Sequence, residues 1–242
     1  MKICVAQTRS VKGDIAGNIQ HHKKYIDHAI AFGADLIIFP ELSLTGYEPT
    51  VAKALATTPD DSRLDGFQTL SNTGNIVIGV GVPTQNTTAP SISMILFQPK
   101  KARQTYSKKY LHADEDPFFV SGPNYTDLSV KDTAVALAIC YELSVPEHAE
   151  HALKNGAGVY IASVAKSATG VEKASKSLSD IARKYFVPVL MANAVGQSDD
   201  FMSTGNSSVW NSRGQLLKQL DDTREGLLVF DTETQNVIEK IL

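Results

Sequence analysis

The sequence predicts a mixed α/β fold, with two sheets face to face and helices covering the outer side of each. Three observations carry this expectation. Short apolar runs such as Leu36-Ile37-Ile38-Phe39 and Val135-Ala136-Leu137-Ala138-Ile139 have the length of buried strands. Other segments repeat apolar residues at helical spacing, as in Val171, Ala174, Leu178, Ile181 and Tyr185. Two helix-covered sheets would bury the faces of both kinds of segment. No repeat and no linker rich in Gly, Ser or Pro divides the 242 residues, so one domain over 1–242 is expected.

In chain order, Lys2 to Gln7 reads as a strand in which Cys4 is a packing residue. Asn18 is expected to cap a helix that ends near Gly33, with Ile19, Ile26, Ala29 and Ile30 on one face. The strand Leu36 to Phe39 stops at Pro40, and strand, helix, strand suggests a βαβ-like opening. Pro59 to Leu70 reads as a poorly marked helix, and Ile76 to Val82 as a strand paired with Ile92 to Phe97. Gly79 and Gly81 lack the third glycine and following helix of a phosphate loop, so they point to close backbone packing. A loop then carries Tyr106 to Phe119, ahead of the strand that ends at Cys140. A helix from Pro146 to Asn155, a strand from Val159 to Ser163, the helix of the 171–185 stripe and a strand from Val187 to Ala192 follow. Ser207 to Trp210 and Leu227 to Phe230 are expected to close the fold as an antiparallel pair around Ser212-Arg213-Gly214.

Composition narrows the function classes. The formal net charge is -3 with both signs spread along the chain, which argues against a basic nucleic-acid surface. No apolar stretch approaches the roughly 20 residues of a membrane span. Met1-Lys2-Ile3-Cys4 runs into a strand-like segment rather than a signal peptide. Cys4 and Cys140 are too few for a disulfide scaffold, and a reduced, cytoplasmic setting is expected, with a single disulfide between them left open.

Three segments each place one reactive residue just past an apolar run: Phe39-Pro40-Glu41-Leu42, Tyr106-Ser107-Lys108-Lys109-Tyr110-Leu111 and Ile139-Cys140-Tyr141-Glu142. At a strand-to-helix turn, Cys140 would meet backbone N–H groups and a helix dipole, both of which favour thiolate. A cysteine nucleophile needs a base and a cationic or N–H-rich oxyanion site. Glu41 could supply the first, and a lysine the second. Read singly, the plainer readings lead: Cys140 as a buried inert thiol, Glu41 as a solvated strand end, and Lys108 and Lys109 as exposed loop charges.

Together and in this order, the segments resemble the nitrilase superfamily of carbon–nitrogen hydrolases over nearly the whole chain. Phe39-Pro40-Glu41 with Gly46-Tyr47 is similar to the segment that carries the family's general base. Tyr106-x-Lys108-x-x-Leu111 is similar to the lysine segment and selects Lys108 over Lys109; Cys140-Tyr141-Glu142 with Pro146-Glu147 is similar to the nucleophile segment. The resemblance implies a four-layer αββα sandwich, usually dimeric, with a Glu41-Lys108-Cys140 centre and neither metal nor organic cofactor. It implies Glu115 as a second glutamate that positions substrate, flanked here by Asp114 and Asp116. Tyr47, Tyr141 and Ala165 are the implied substrate contacts. Two segments depart from the family: Ser144-Val145-Pro146-Glu147 lacks its arginine, and Ala162-Ser163-Val164-Ala165 stands where many members have Asn-Pro-Ala, which puts substrate identity in doubt.

The expected activity is hydrolysis of a small amide with water through a Cys thioester, with N-carbamoyl or nitrile hydrolysis as alternatives. A degenerate binding protein on the same fold is the alternative of another class. Acyl transfer to an amine, and ammonia release for a partner domain, also stay open. Of the histidines, His112 is a candidate pocket residue, whereas His21, His22, His28, His148 and His151 read as solvated helix residues. His148 and His151 could share a metal with Glu147, but no further ligand cluster follows them. Replacing Lys108 is expected to remove activity with little loss of stability, and replacing Lys109 to be mild.

Overall fold

The computed structural model describes residues 1–124 and 127–242. The first half of the chain supplies β1 (Lys2–Gln7), α1 (Ile15–Ala31), β2 (Leu36–Ile38), α2 (Pro49–Leu55), α3 (Asp65–Gly74), β3 (Val77–Thr84), β4 (Ser91–Phe97) and β5 (Gln104–Ser107). The second half supplies β6 (Ser129–Val130), β7 (Thr133–Ile139), α4 (Pro146–Lys154), β8 (Val159–Val164), α5 (Ala168–Tyr185) and β9 (Val189–Asn193). It continues through β10 (Val195–Ser198), β11 (Phe201–Thr204), β12 (Ser208–Trp210), β13 (Leu216–Gln219), β14 (Gly226–Asp231) and β15 (Val237–Ile241). Among the described residues one sheet has the order β15-β14-β1-β2-β3-β4-β5 and the other β13-β12-β9-β8-β7-β6, with β10 and β11 as a separate ribbon.

The alternation of side chains along each strand builds the layers. Ile3, Val5, Leu36 and Ile38 of the first sheet pack against Leu137, Ile139, Ile161 and Leu190 of the second. The intervening residues Cys4, Ala6 and Ile37 face outward onto Ile19 and Ile26 of α1 and Phe67 of α3. On the far side, Ala136, Tyr160 and Ala162 meet Leu153 of α4 and Leu178 of α5. The result is the expected αββα order, and the expected stripe of α5 is its contact face, with Tyr185 only partly buried.

Several local expectations need correcting. Asp14, not Asn18, caps α1 by accepting a hydrogen bond from the Gly17 N–H at 2.9 Å. Asn18 lies one turn inside and is buried, with its amide bonded to Val11 and Leu44 backbone groups. His22 is also buried, stacked on Phe39 at 4.1 Å, with one ring nitrogen 2.9 Å from Ser43 Oγ. Burial pushes its pKa down to about 3, so it is a neutral prop beneath the Phe39–Ser43 segment. The helix expected over 59–70 begins only at Asp65, after a 3-10 turn at Ser62–Leu64. Strands 208–210 and 226–231 do not pair: β12 lies between β9 and β13, whereas β14 lies between β1 and β15 in the other sheet. Leu227 to Phe230 are buried on both faces, which a central strand requires. The true hairpin partner, β13, is largely exposed and has no apolar alternation to betray it.

Candidate active site

Glu41 is placed by the two glycines of β3. Phe39 N–H donates to the Gly79 carbonyl at 3.0 Å, and Leu44 N–H to the Gly81 carbonyl at 3.0 Å. A Cβ on Gly81 would fall 2.4 Å from the Pro40 carbonyl oxygen and 2.5 Å from the Leu42 nitrogen. Any larger residue there would displace the backbone on both sides of Glu41. Ser163 Oγ, on β8 of the facing sheet, donates to the Phe39 carbonyl at 2.8 Å and ties the two sheets together at this point.

Lys108 follows β5 and is fully buried, whereas Lys109 is exposed. The Lys108 ammonium donates to Glu41 Oε1 at 2.9 Å and to Glu115 Oε1 at 2.7 Å. Glu115, buried as well, also accepts from Tyr47 OH at 3.0 Å and, through Oε2, from the His112 N–H at 2.8 Å. Its flanking residues Asp114 and Asp116 are exposed. The structure therefore gathers the two expected carboxylates, Glu41 and Glu115, around the expected cation, Lys108.

Cys140 stands where β7 ends and a 3-10 turn, Cys140–Ser144, begins. Its φ of 46° is left-handed, a conformation that costs a non-glycine residue about 1–3 kcal/mol and persists only under outside constraint. Glu142 provides that constraint. Its Oε2 accepts from Ile139 N–H at 2.9 Å and Tyr106 OH at 2.6 Å, and its Oε1 from Lys109 N–H at 2.8 Å. One buried carboxylate thus clamps the cysteine turn to the lysine segment. Tyr106 OH also lies 2.8 Å from His148 Nε2, and His148 Nδ1 lies 3.1 Å from Tyr160 OH, so His148 is a core residue, not a solvated one.

The electrostatics differ from the thiolate expected at a helix start. Cys140 as a residue is only partly exposed, and it packs against both the inter-sheet core and the α4/α5 cluster. Burial, then the Glu41 charge, pushes its thiol up to about 11, against smaller opposing effects of Lys166 and Lys108. The resting group is a neutral thiol. Burial likewise raises the Glu41 carboxyl, partly offset by Lys108. Burial alone would lower the Lys108 ammonium, but Glu41, Cys140 and Glu115 together hold it well above its ordinary value. Glu41 Oε2 is buried with no hydrogen-bond partner among the described residues. The adjacent Cys140 thiol favours the ionised Glu41, as a donor to it would. A carboxylate oxygen left free beside a protonated thiol can accept that proton. By contrast Cys4, fully buried beneath α1, has its thiol raised by desolvation, with no carboxylate among the described residues acting on it.

The thiol opens onto a cavity of about 200 Å³. The expected contacts Tyr47, Tyr141 and Ala165 all line it, and the Ala165 carbonyl lies 4.0 Å from Cys140 Sγ. Phe201 forms another part of the wall, edge-on to Tyr47 with centroids 5.7 Å apart. His112 and Lys166 complete its polar lining with Asp114 and Glu115. Phe201 and Lys166 were not legible as pocket residues, although Lys166 directly follows Ala165 in the sequence.

Comparison with known proteins agrees with this architecture. A probable nitrilase from Schizosaccharomyces pombe is 24% identical over 91% of this chain and 84% of its own length. A glutamine-dependent NAD(+) synthetase from Thermotoga maritima is 24% identical over 96% of this chain, which spans only 42% of that protein. The solved NitN amidase from Nesterenkonia sp. AN1 superposes with a TM-score of 0.85 at 24% identity, covering 96% of this chain and 92% of that one. The profile of the carbon–nitrogen hydrolase family matches residues 2–240. The chain belongs to the carbon–nitrogen hydrolase family, and so to the nitrilase superfamily of hydrolytic enzymes.

Proposed function

We propose that this protein, as one domain over 1–242, is an amidase that hydrolyses a small amide through a thioester on Cys140. The observation that carries the reading is the free Glu41 Oε2 beside a neutral, partly enclosed thiol, with Lys108 fixed on the other oxygen of the same carboxylate. Glu41 takes the thiol proton as Cys140 Sγ bonds to the substrate carbonyl carbon. Lys108 and the N–H of Tyr141, at the unsatisfied start of the 3-10 turn, stabilise the oxyanion. The tetrahedral intermediate collapses, the C–N bond breaks, and Glu41 returns its proton to the departing nitrogen. The same carboxylate then draws a proton from water as it attacks the thioester carbonyl; the C–S bond breaks, the acid leaves, and Glu41 passes the proton to the departing Cys140 sulfur. No cofactor or metal takes part in this scheme. The amide class draws support from the amidase among the solved relatives, which is similar in fold.

Ammonia release from primary amides, N-carbamoyl compounds and nitriles tests the substrate class. Amides are expected to turn over fastest, and faster hydrolysis of either rival class would reassign the enzyme. The pH profile supplies a second check. Glu41 works only as the carboxylate, and its raised pKa places the acid limb of kcat/KM above the ordinary carboxyl value of 4.5. Activity should fall as the pH drops through that limb. Full activity at and below pH 4.5 would exclude Glu41 as the base.

The same reading includes a homodimer in the cytoplasm. The outer strands β13 and β15 end the two sheets with exposed Leu216 and Ile238, and open sheet edges call for cover. Both cysteines are free, which suits a reducing compartment. No helix among the described residues is long and apolar enough to cross a membrane. Sedimentation at micromolar concentration, on protein from a fractionated cytosol, should give the mass of two chains; monomer alone would remove the dimer.

A further inference from the structure

His148 is a buried titratable group with no task in the amidase scheme. It sits in the first turn of α4, and both of its ring nitrogens are partnered. Nε2 lies 2.8 Å from Tyr106 OH on β5, and Nδ1 lies 3.1 Å from Tyr160 OH on β8. The direction of these bonds follows by elimination. Tyr106 has one hydroxyl proton and donates it to Glu142 Oε2 at 2.6 Å. The same Oε2 receives the Ile139 N–H at 2.9 Å, so it is an acceptor throughout. Towards His148, Tyr106 OH can then only accept, and Nε2 carries the ring proton. Burial lowers the pKa of His148, against the opposing effect of Glu142, so the ring is neutral at neutral pH. Its Nδ1 therefore accepts from Tyr160 OH.

The hydrogen bonds run one way, from Tyr160 through His148 and Tyr106 to Glu142. Glu142 is the carboxylate that holds the Ile139 N–H before Cys140 and, through Oε1, the Lys109 N–H after Lys108. A hydroxyl that accepts on one side keeps its proton on the other, and bonds in such a chain polarise one another. Remove the Nε2–H, and Tyr106 OH is free to turn from Glu142 towards a cavity of about 150 Å³. That cavity is lined by Tyr106 and His148 with Ala136 and Leu137 of β7 and Ala152 of α4. It shares no lining residue with the cavity onto which Cys140 opens. The Cys140 backbone, at a φ of 46°, keeps its left-handed form only while something outside it does the holding.

We propose that His148 is a positioning residue for the nucleophile: through Tyr106 and Glu142 it fixes the left-handed turn of Cys140 and so keeps Sγ beside Glu41 and Lys108. The inference rests on the amidase reading and adds to it a residue that touches no substrate. A displacement of about 1 Å at the reacting atoms costs on the order of a hundredfold in rate. Neither His148 nor Tyr106 lines the cavity at Cys140, so the loss belongs in kcat rather than in KM.

His148→Leu fills the space and removes the donor. On a small amide it should lower kcat by about tenfold to a hundredfold and leave KM within about twofold of wild type. In a Tyr106→Phe background the same substitution should cost almost nothing further, because His148 acts through that hydroxyl. His148→Ala leaves room beside the cavity for a free ring. Added imidazole should restore most of its lost rate, whereas thiophene, similar in shape but without an N–H, should not. Thermal unfolding checks that each variant is folded, and His148→Ala with imidazole carries the test if His148→Leu is not. Unchanged kcat in His148→Leu, additive losses with Tyr106→Phe, or equal rescue by thiophene would overturn the inference and leave His148 as packing alone. Alkylation of Cys140 by iodoacetamide, read by peptide mass, separates this from failure of the amidase reading. It needs the same alignment of thiol and base but no amide turnover, and should slow by about tenfold or more in His148→Leu. Unchanged alkylation would sink the positioning role. Slowed alkylation in a protein whose wild type hydrolyses no amide would sink the amidase reading alone.

Discussion

Cys140→Ala is expected to abolish turnover, and Glu41→Gln to slow formation of the covalent adduct by orders of magnitude. Removing the nucleophile of a nucleophile–base pair costs on the order of 10⁶ in kcat in well-studied hydrolases. The Glu41 effect follows from the thiol itself. With its pKa pushed up to about 11 rather than the ordinary 9.0, roughly one Cys140 in 10⁴ is thiolate at pH 7. Attack therefore depends on a base that removes the proton during the step. Glu41 Oε2, buried and without a hydrogen-bond partner among the described residues, is the oxygen proposed to do so. Rapid mixing with an amide and intact-mass analysis should show a transient acyl adduct on wild-type Cys140. The same adduct should form slowly in Glu41→Gln and never in Cys140→Ala. An adduct on Cys4, or turnover surviving in Cys140→Ala, would remove Cys140 as nucleophile.

Lys108→Met should remove activity and also destabilise the protein. The second effect departs from what the sequence alone suggested. Lys108 is fully buried between Glu41 and Glu115, themselves buried. Without it, two neighbouring carboxylates face each other with no cation. Breaking a buried ion pair in this way costs about 3–5 kcal/mol, beside the roughly 10²–10³ in rate expected from losing an oxyanion donor. Lys109→Met touches an exposed side chain and should change stability by less than about 0.5 kcal/mol, because the link to Glu142 is made by its backbone N–H. Glu115→Gln keeps a hydrogen-bond acceptor for Lys108 and Tyr47 and removes one buried charge. It should lower turnover while the protein stays folded. Thermal unfolding and ammonia release on the three variants separate these outcomes. Equal activity losses at Lys108 and Lys109 would show that the wrong lysine has been assigned, and full activity in Glu115→Gln would make Glu115 a loop charge.

The sequence by itself determined the local parts. Strands written as short apolar runs, the α5 stripe, and the segments around Glu41, Lys108 and Cys140 are properties of neighbouring residues, and each formed where the pattern lay. Even the spacing of Gly79 and Gly81 announced a close backbone approach, though not that the backbone would be that of Pro40 and Leu42. What the tertiary structure decided are properties that depend on residues far apart in the chain. Burial against Phe39 and Tyr106 turned His22 and His148 from solvated helix residues into core supports. The assignment of β12 and β14 to different sheets followed from which buried edge each could fill, a question of pairing that periodicity does not address. The state of Cys140 was decided in the same way. A turn with helical N–H groups favours thiolate, but desolvation and the Glu41 charge outweigh that local field and leave a neutral thiol. Lys166 entered the pocket only because Asn193 and Thr204, from two other strands, hold its backbone there.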